Sequence, residues 1–223
     1  MMVLDLHVHT FQGSGDSNIE YRDVVPRARE AGLDGICITE HGVKKTGLAE
    51  KLAREYDFLV LEGMETSTEL GDILVFGLDS LPRTLYRAAD MRDYVEKAGG
   101  VMIAAHPFRS EITRPIMLKT SPRLTLEDAC RRPILNLVDG IEVANGWSAE
   151  EDVEFCLQLS ARMGLRATGG SDAHLPQQIG CCITIFENGI RSEADLVAEL
   201  KRGRFLAQDR RRKEQKGPNY WFS

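Results

Sequence analysis

The chain has 223 residues, of which 43% are hydrophobic and 28% charged, with a formal net charge of −6. Such values exclude a mainly disordered chain. The acidic balance argues against a long nucleic acid as an obligatory partner, because phosphate backbones are gripped by clustered Lys and Arg.

In chain order, apolar β-rich runs at 3–8, 35–39, 58–61, 73–76, 101–105, 140–143, 166–168 and 181–186 predict strands. Segments of helical period at 21–31, 48–56, 89–98, 126–137, 150–163 and 193–202 alternate with them, several ending at glycine. This βα alternation predicts a mainly parallel α/β domain over residues 1–207. Only 63–72 separates the third and fourth strands, which predicts a hairpin or tight crossover there. The long irregular stretch 108–125, with Pro115 and Pro122, has the length to cover a site. From Gln208 the chain turns basic and then aromatic, and 208–223 reads as a solvated tail in preference to a phosphate-binding arm.

No stretch approaches the roughly 18 apolar residues of a membrane span, and Asp5 and His7 arrive too early for a signal peptide. A cytoplasmic protein without a membrane partner is expected. Its five cysteines, Cys37, Cys130, Cys156, Cys181 and Cys182, include no CxxC pair and read as reduced, mostly buried thiols.

All five histidines stand outside the helical segments and beside other ligand-type residues. His7 and His9, two apart on a strand, present both imidazoles to one side, with Leu4, Leu6 and Val8 opposite. Asp5 shares the histidine face and is placed to orient a metal-bound imidazole through its N–H. Glu40-His41, His106 and Asp172-Ala173-His174 each follow an apolar strand, where a parallel barrel exposes its catalytic residues. Glu65 follows the run at 59–64; standing alone it would read as a solvated loop residue. Imidazoles and carboxylates in this mixture suit Zn²⁺, Mn²⁺ or Fe²⁺. Arg109 is a candidate phosphate clamp, or else a surface partner of Glu111. Asn145 is a candidate for the site mouth, or else a turn residue before Gly146.

Taken in order, these motifs resemble the PHP (polymerase and histidinol phosphatase) domain family. The matching residues are Asp5-Leu6-His7-Val8-His9-Thr10, Ala31-Gly32-Leu33-Asp34-Gly35 through Thr39-Glu40-His41, Gly63-Met64-Glu65, Ala105-His106-Pro107-Phe108, Asp139-Gly140-Ile141-Glu142-Val143 and Gly170-Ser171-Asp172-Ala173-His174. The resemblance spans about residues 3–205 and implies a distorted (β/α)7 barrel with two or three divalent metal ions at the C-terminal ends of the strands. It places His7, His9, Glu65 and Asp172 on one metal, and Glu65 and His106 on a second. His41, His174 and Asp16 fall on a third, although the stretch from Thr10 to Asp16 is about one residue longer than the family pattern. Where many members carry a histidine for the second metal, this chain has Asp72. The implied activity is that of a phosphatase or phosphodiesterase, hydrolysis of a small phosphate ester by metal-activated water, with His7, His9, Glu65 and Asp172 catalytic. Nucleic acid enters only as a short substrate, in an exonuclease or nucleotide phosphatase alternative. The other alternative is a non-catalytic metal-stabilised scaffold, and nothing in the sequence fixes an oligomeric state.

Overall fold

The computed structural model describes residues 1–42, 46–109, 111 and 124–211. Ten strands run in chain order: β1 (Met2–Val8), β2 (Gly35–Ile38), β3 (Leu59–Glu62), β4 (Met64–Thr68), β5 (Gly71–Phe76), β6 (Val101–Ala104), β7 (Gly140–Asn145), β8 (Arg166–Gly170), β9 (Cys182–Phe186) and β10 (Phe205–Asp209). The α-helices among the described residues are α1 (Tyr21–Glu30), α2 (Leu48–Tyr56), α3 (Ala88–Lys97), α4 (Leu126–Cys130), α5 (Glu150–Met163) and α6 (Glu193–Arg202).

The strands pair into two mixed five-stranded sheets, β10-β9-β1-β2-β3 and β4-β5-β6-β7-β8. The expected (β/α)7 barrel is therefore not seen as a closed ring of hydrogen-bonded strands among the described residues. The sheets instead meet at isolated parallel bridges, Val8 with Ala173 and His41 with Glu65. Only Gly63 separates β3 from β4, so the chain passes from one sheet to the other there. A Cβ at Gly63 would lie 2.8 Å from the Phe76 ring, so only glycine lets the chain cross so closely over β5. The tight connection expected after β3 is thus an additional strand, β4, hairpinned antiparallel onto β5.

Two other expectations change. The helix expected at 126–137 stops at Cys130 and resumes as a short 3-10 turn at Pro133–Asn136, because Pro133 cannot continue an α-helix. The tail expected from residue 208 begins later: Gln208 and Asp209 pair with Ile183 and Cys182 in β10. Arg210 donates to the Ala31 carbonyl and Arg211 to those of Gly146 and Ser148. The rest of the tail, 212–223, and most of the expected covering segment, 110 and 112–123, lie outside the described residues. All five cysteines are free thiols, three of them buried.

β1 is the axis of the site. Leu4 and Leu6 pack with Phe76, Ile103 and Phe186, while Val8 packs with Ile36 and Ile38 beneath α1 and α2. Between Asp5 and Val8 the pairing with β2 slips, two steps of β2 answering three of β1. Asp5 is wholly buried, and its carboxylate accepts from the backbone N–H groups of His7, Ser171 and Gly180 at 3.2, 2.8 and 2.8 Å. It ties β1 to the segment that carries Asp172 and His174. Burial pushes its pKa up to about 6, against those hydrogen bonds. Asp5 therefore holds backbone rather than orienting an imidazole, which corrects the expectation. Asp5→Ala strands three buried donors, and we expect a loss of about 3 kcal/mol or more. Thermal unfolding should show the melting temperature lower by roughly 6–12 °C; an unchanged melting curve would contradict this role.

Candidate metal centre

The strand ends bring all five histidines into one cluster. His7 lies at the end of β1 and His9 just beyond it, His41 follows β2, His106 follows β6, and Asp172 and His174 follow β8. Glu65 projects from β4 into their midst. His106 and Asp172 adopt positive φ, 33° and 52°, a backbone conformation that non-glycine residues hold only when surroundings impose it. Such strain at two cluster residues is typical of functional sites.

His7, His9, Glu65 and Asp172 converge on one point. Nε2 of His7 and Nε2 of His9 are 3.0 Å apart. Glu65 Oε2 lies 3.5 and 3.3 Å from these two nitrogens, and Asp172 Oδ1 3.4 and 3.3 Å. Four ligands around a tetrahedral ion, at the usual bond length of about 2.0–2.1 Å, stand roughly 3.3–3.4 Å from one another. The donor set therefore fits a cation in chemistry and in spacing.

The imidazole tautomers agree with that fit. His7 Nδ1 faces Glu142 Oε1 at 3.0 Å, and a carboxylate can only accept, so Nδ1 keeps a proton and Nε2 is the nitrogen left to ligate a cation. His9 Nδ1 faces Ser14 Oγ at 3.1 Å, and Ser14 spends its own proton on Glu40 at 2.6 Å. Glu142 thus has the role expected of Asp5, and it also accepts from the His106 backbone N–H and the Asn145 amide.

Glu65 is shared. Its Oε1 meets His106 Nε2 at 3.0 Å. Its buried Oε2 has no hydrogen-bond donor in good alignment, although His41 Nδ1 stands 2.9 Å away. Asp72 joins Glu65 and His106 in a group whose ligand atoms all lie within 4.8 Å of one another. Asp16 Oδ2 stands 3.2 Å from His41 Nε2 and 3.3 Å from His174 Nε2, so the longer stretch after Thr10 still delivers it to both.

The field of the cluster favours positive charge. Burial alone would lower the pKa of His7, but Glu142, Asp172 and Glu65 hold it well above the ordinary value. His41 is pushed up to about 9, chiefly by its contact with Glu65. Burial opposes ionisation of Glu65 and Asp172, yet the imidazoles keep both far below the usual carboxylate range.

Arg109 and Asn145 come out differently. Arg109 Nη1 donates to Asp172 Oδ2 at 2.6 Å from the wall of the cavity, while Glu111 pairs with Arg132 instead. Asn145 is fully buried, its amide donating to Glu142 and Asp172 at 2.9 and 3.3 Å. It braces the carboxylates and does not line the mouth, which corrects the expectation. Trp147, not anticipated from the sequence, forms part of that mouth. The cavity of about 850 Å³ is lined by Asp16, His41, Asp72, Arg109, Trp147 and His174, among others.

Residues 5–113 match the PHP domain model and residues 154–205 a PHP-associated one. The chain belongs to the PHP family. An uncharacterized protein of Methanocaldococcus jannaschii is 29% identical over 157 residues, covering 66% of this chain and 83% of that relative. A two-domain Bacteroides vulgatus protein containing a predicted PHP-like metal-dependent phosphoesterase superposes with a TM-score of 0.65 at 20% identity, over 93% of this chain and 64% of that one. A candidate metal-dependent phosphoesterase of Bifidobacterium adolescentis gives 0.59 at 18%, over 90% and 96%. At these identities the likeness is one of fold.

Within this PHP site Asp72 offers an oxygen donor beside Glu65 and His106, and oxygen donors in general suit harder cations than imidazole does. Ser67 Oγ, 2.6 Å from Oδ1, orients its carboxylate. We expect Asp72→Ala to raise the Mn²⁺ concentration needed for half-maximal activity by roughly 10–100-fold. An unchanged Mn²⁺ titration would exclude Asp72 as a ligand.

Proposed function

We propose that the chain hydrolyses a small phosphate ester with the help of two or three divalent cations of the Zn²⁺, Mn²⁺ or Fe²⁺ type. The observation that carries this reading is the convergence of His7, His9, Glu65 and Asp172 at tetrahedral spacing, with Glu65 shared toward His106 and His41. These four would hold one ion; Glu65, His106 and Asp72 a second; His41, His174 and Asp16 a third. Such cations, when bound, supply a nucleophilic water near neutral pH and neutralise phosphate charge.

The chain's own side chains do the remainder. Glu142 and Ser14 hold the Nδ1 protons of His7 and His9, so both Nε2 atoms face the cluster as the nitrogens that would ligate a cation. Asn145 fixes Asp172 against Glu142. Arg109, partly exposed on the cavity wall, retains N–H donors beyond the one given to Asp172, and these suit a phosphate oxygen. The five free thiols fit a reducing compartment such as the cytoplasm.

The test is a screen of phosphate esters, with a short oligonucleotide as one arm, against metal-stripped protein given Mn²⁺, Zn²⁺, Fe²⁺ or Mg²⁺ separately. We expect phosphate release from a small ester with at least one cation. Silence from every ester with every cation would overturn the reading and favour a scaffold.

A further inference from the structure

Trp147 is the one large apolar side chain among the described residues that is both exposed, at 51%, and part of the cavity wall. Its backbone and ring are nevertheless fixed. The backbone N–H donates to Asn145 Oδ1 at 2.9 Å, and the indole N–H to the Asp172 carbonyl at 2.8 Å. The loop beneath it is pinned from the far end of the chain: Arg211 donates to the Gly146 and Ser148 carbonyls at 2.5 and 3.0 Å. Gly146 permits this seat, since a Cβ there would lie 2.1 Å from the Ser171 carbonyl oxygen. The ring centroid stands 6.2 Å from that of His174.

A rigid, half-exposed indole costs hydration without packing gain unless something covers it. The cavity is far larger than a phosphate group, and its walls are otherwise mostly polar or charged. On the strength of the phosphoesterase reading, we infer that Trp147 is a stacking platform for the ester's organic part, and that the substrate carries a planar aromatic ring close to its phosphate. Its face offers a preorganised partner to any flat ring, an aryl group or a nucleobase, at low entropic cost.

Matched ester pairs test this. Adenosine 5′-monophosphate and ribose 5-phosphate share a leaving oxygen and differ in the ring, while naphthylmethyl and butyl phosphate, both esters of primary alcohols, serve as the aryl arm. Wild type is expected to favour the aromatic member of at least one pair. Trp147→Leu should lower the aromatic-to-aliphatic ratio of kcat/KM by about 5–100-fold for that pair, and Trp147→Phe should retain most of it. Both variants lose the hydrogen bond to Asp172, so damage to the catalytic cluster lowers both esters together and cancels in the ratio. Binding is read separately in a Trp221→Phe background, where Trp147 is the sole tryptophan. Benzylphosphonate should quench its fluorescence and butylphosphonate should not. A ratio equal in wild type and Trp147→Leu, or equal quenching by both phosphonates, overturns the inference while leaving phosphoesterase activity standing. Stronger quenching by phosphocholine than by benzylphosphonate would also overturn it, since the ring would then be serving a cation. If wild type hydrolyses no ester, the phosphoesterase reading fails, and the fluorescence comparison alone decides the fate of the platform.

Discussion

Glu65→Gln is expected to reduce hydrolysis by more than about 100-fold, beyond the usual cost of losing an outer partner of a metal ligand. The substitution keeps shape and removes charge. The Glu65 oxygens meet His7, His9 and His41 on one side and His106 on the other. A neutral amide presents a single acceptor oxygen, and its NH2 group would face either the His106 nitrogen or the three-histidine side. Each choice opposes a cation, so metal content should fall by more than one ion per chain, with the protein still folded. Element analysis after growth with added Mn²⁺ and Zn²⁺ checks this directly. Full metal content together with wild-type turnover would remove Glu65 from the centre.

Metal binding should also appear as stability. The buried imidazole nitrogens of His7 and His9 are forced within 3.0–3.5 Å of each other and of the Glu65 and Asp172 carboxylates. A cation relieves that crowding in the folded chain alone, because the unfolded chain does not assemble the set. At about 1,000 times its dissociation constant, one ion adds about 4 kcal/mol. For a chain of this size that corresponds to roughly 8–16 °C in melting temperature. Adding Mn²⁺ or Zn²⁺ to stripped protein should produce such a rise, and His9→Ala or Asp172→Ala should remove most of it. A stripped protein whose melting temperature ignores both ions would argue against a built site.

Local pattern made much of the chain legible. The bounds of α2, α5 and α6 follow from apolar periodicity, with Gly164 and Gly203 in the left-handed conformation ending the latter two. The apolar runs that became β1, β2, β6 and β9 were equally plain. β4 was hidden because its sequence, Met64-Glu65-Thr66-Ser67-Thr68, is polar where it lines the cavity. β10 was hidden because a short run that opens a basic segment reads as tail until β9 pairs with it.

Which residue types gather can be read along the chain: imidazoles and carboxylates at strand ends, in an order that resembles the PHP family. Which carboxylate meets which imidazole depends on how distant segments fold together. His7 and Glu142 are 135 residues apart, and His7 is held by Glu142 rather than by neighbouring Asp5 because the backbone N–H groups of Ser171 and Gly180 claim Asp5 first. Asn145 was likewise drawn inward by two buried carboxylates, leaving Trp147 at the mouth. Strand periodicity sets which way a side chain points, whereas its hydrogen-bond partner depends on what another part of the chain brings within 3 Å.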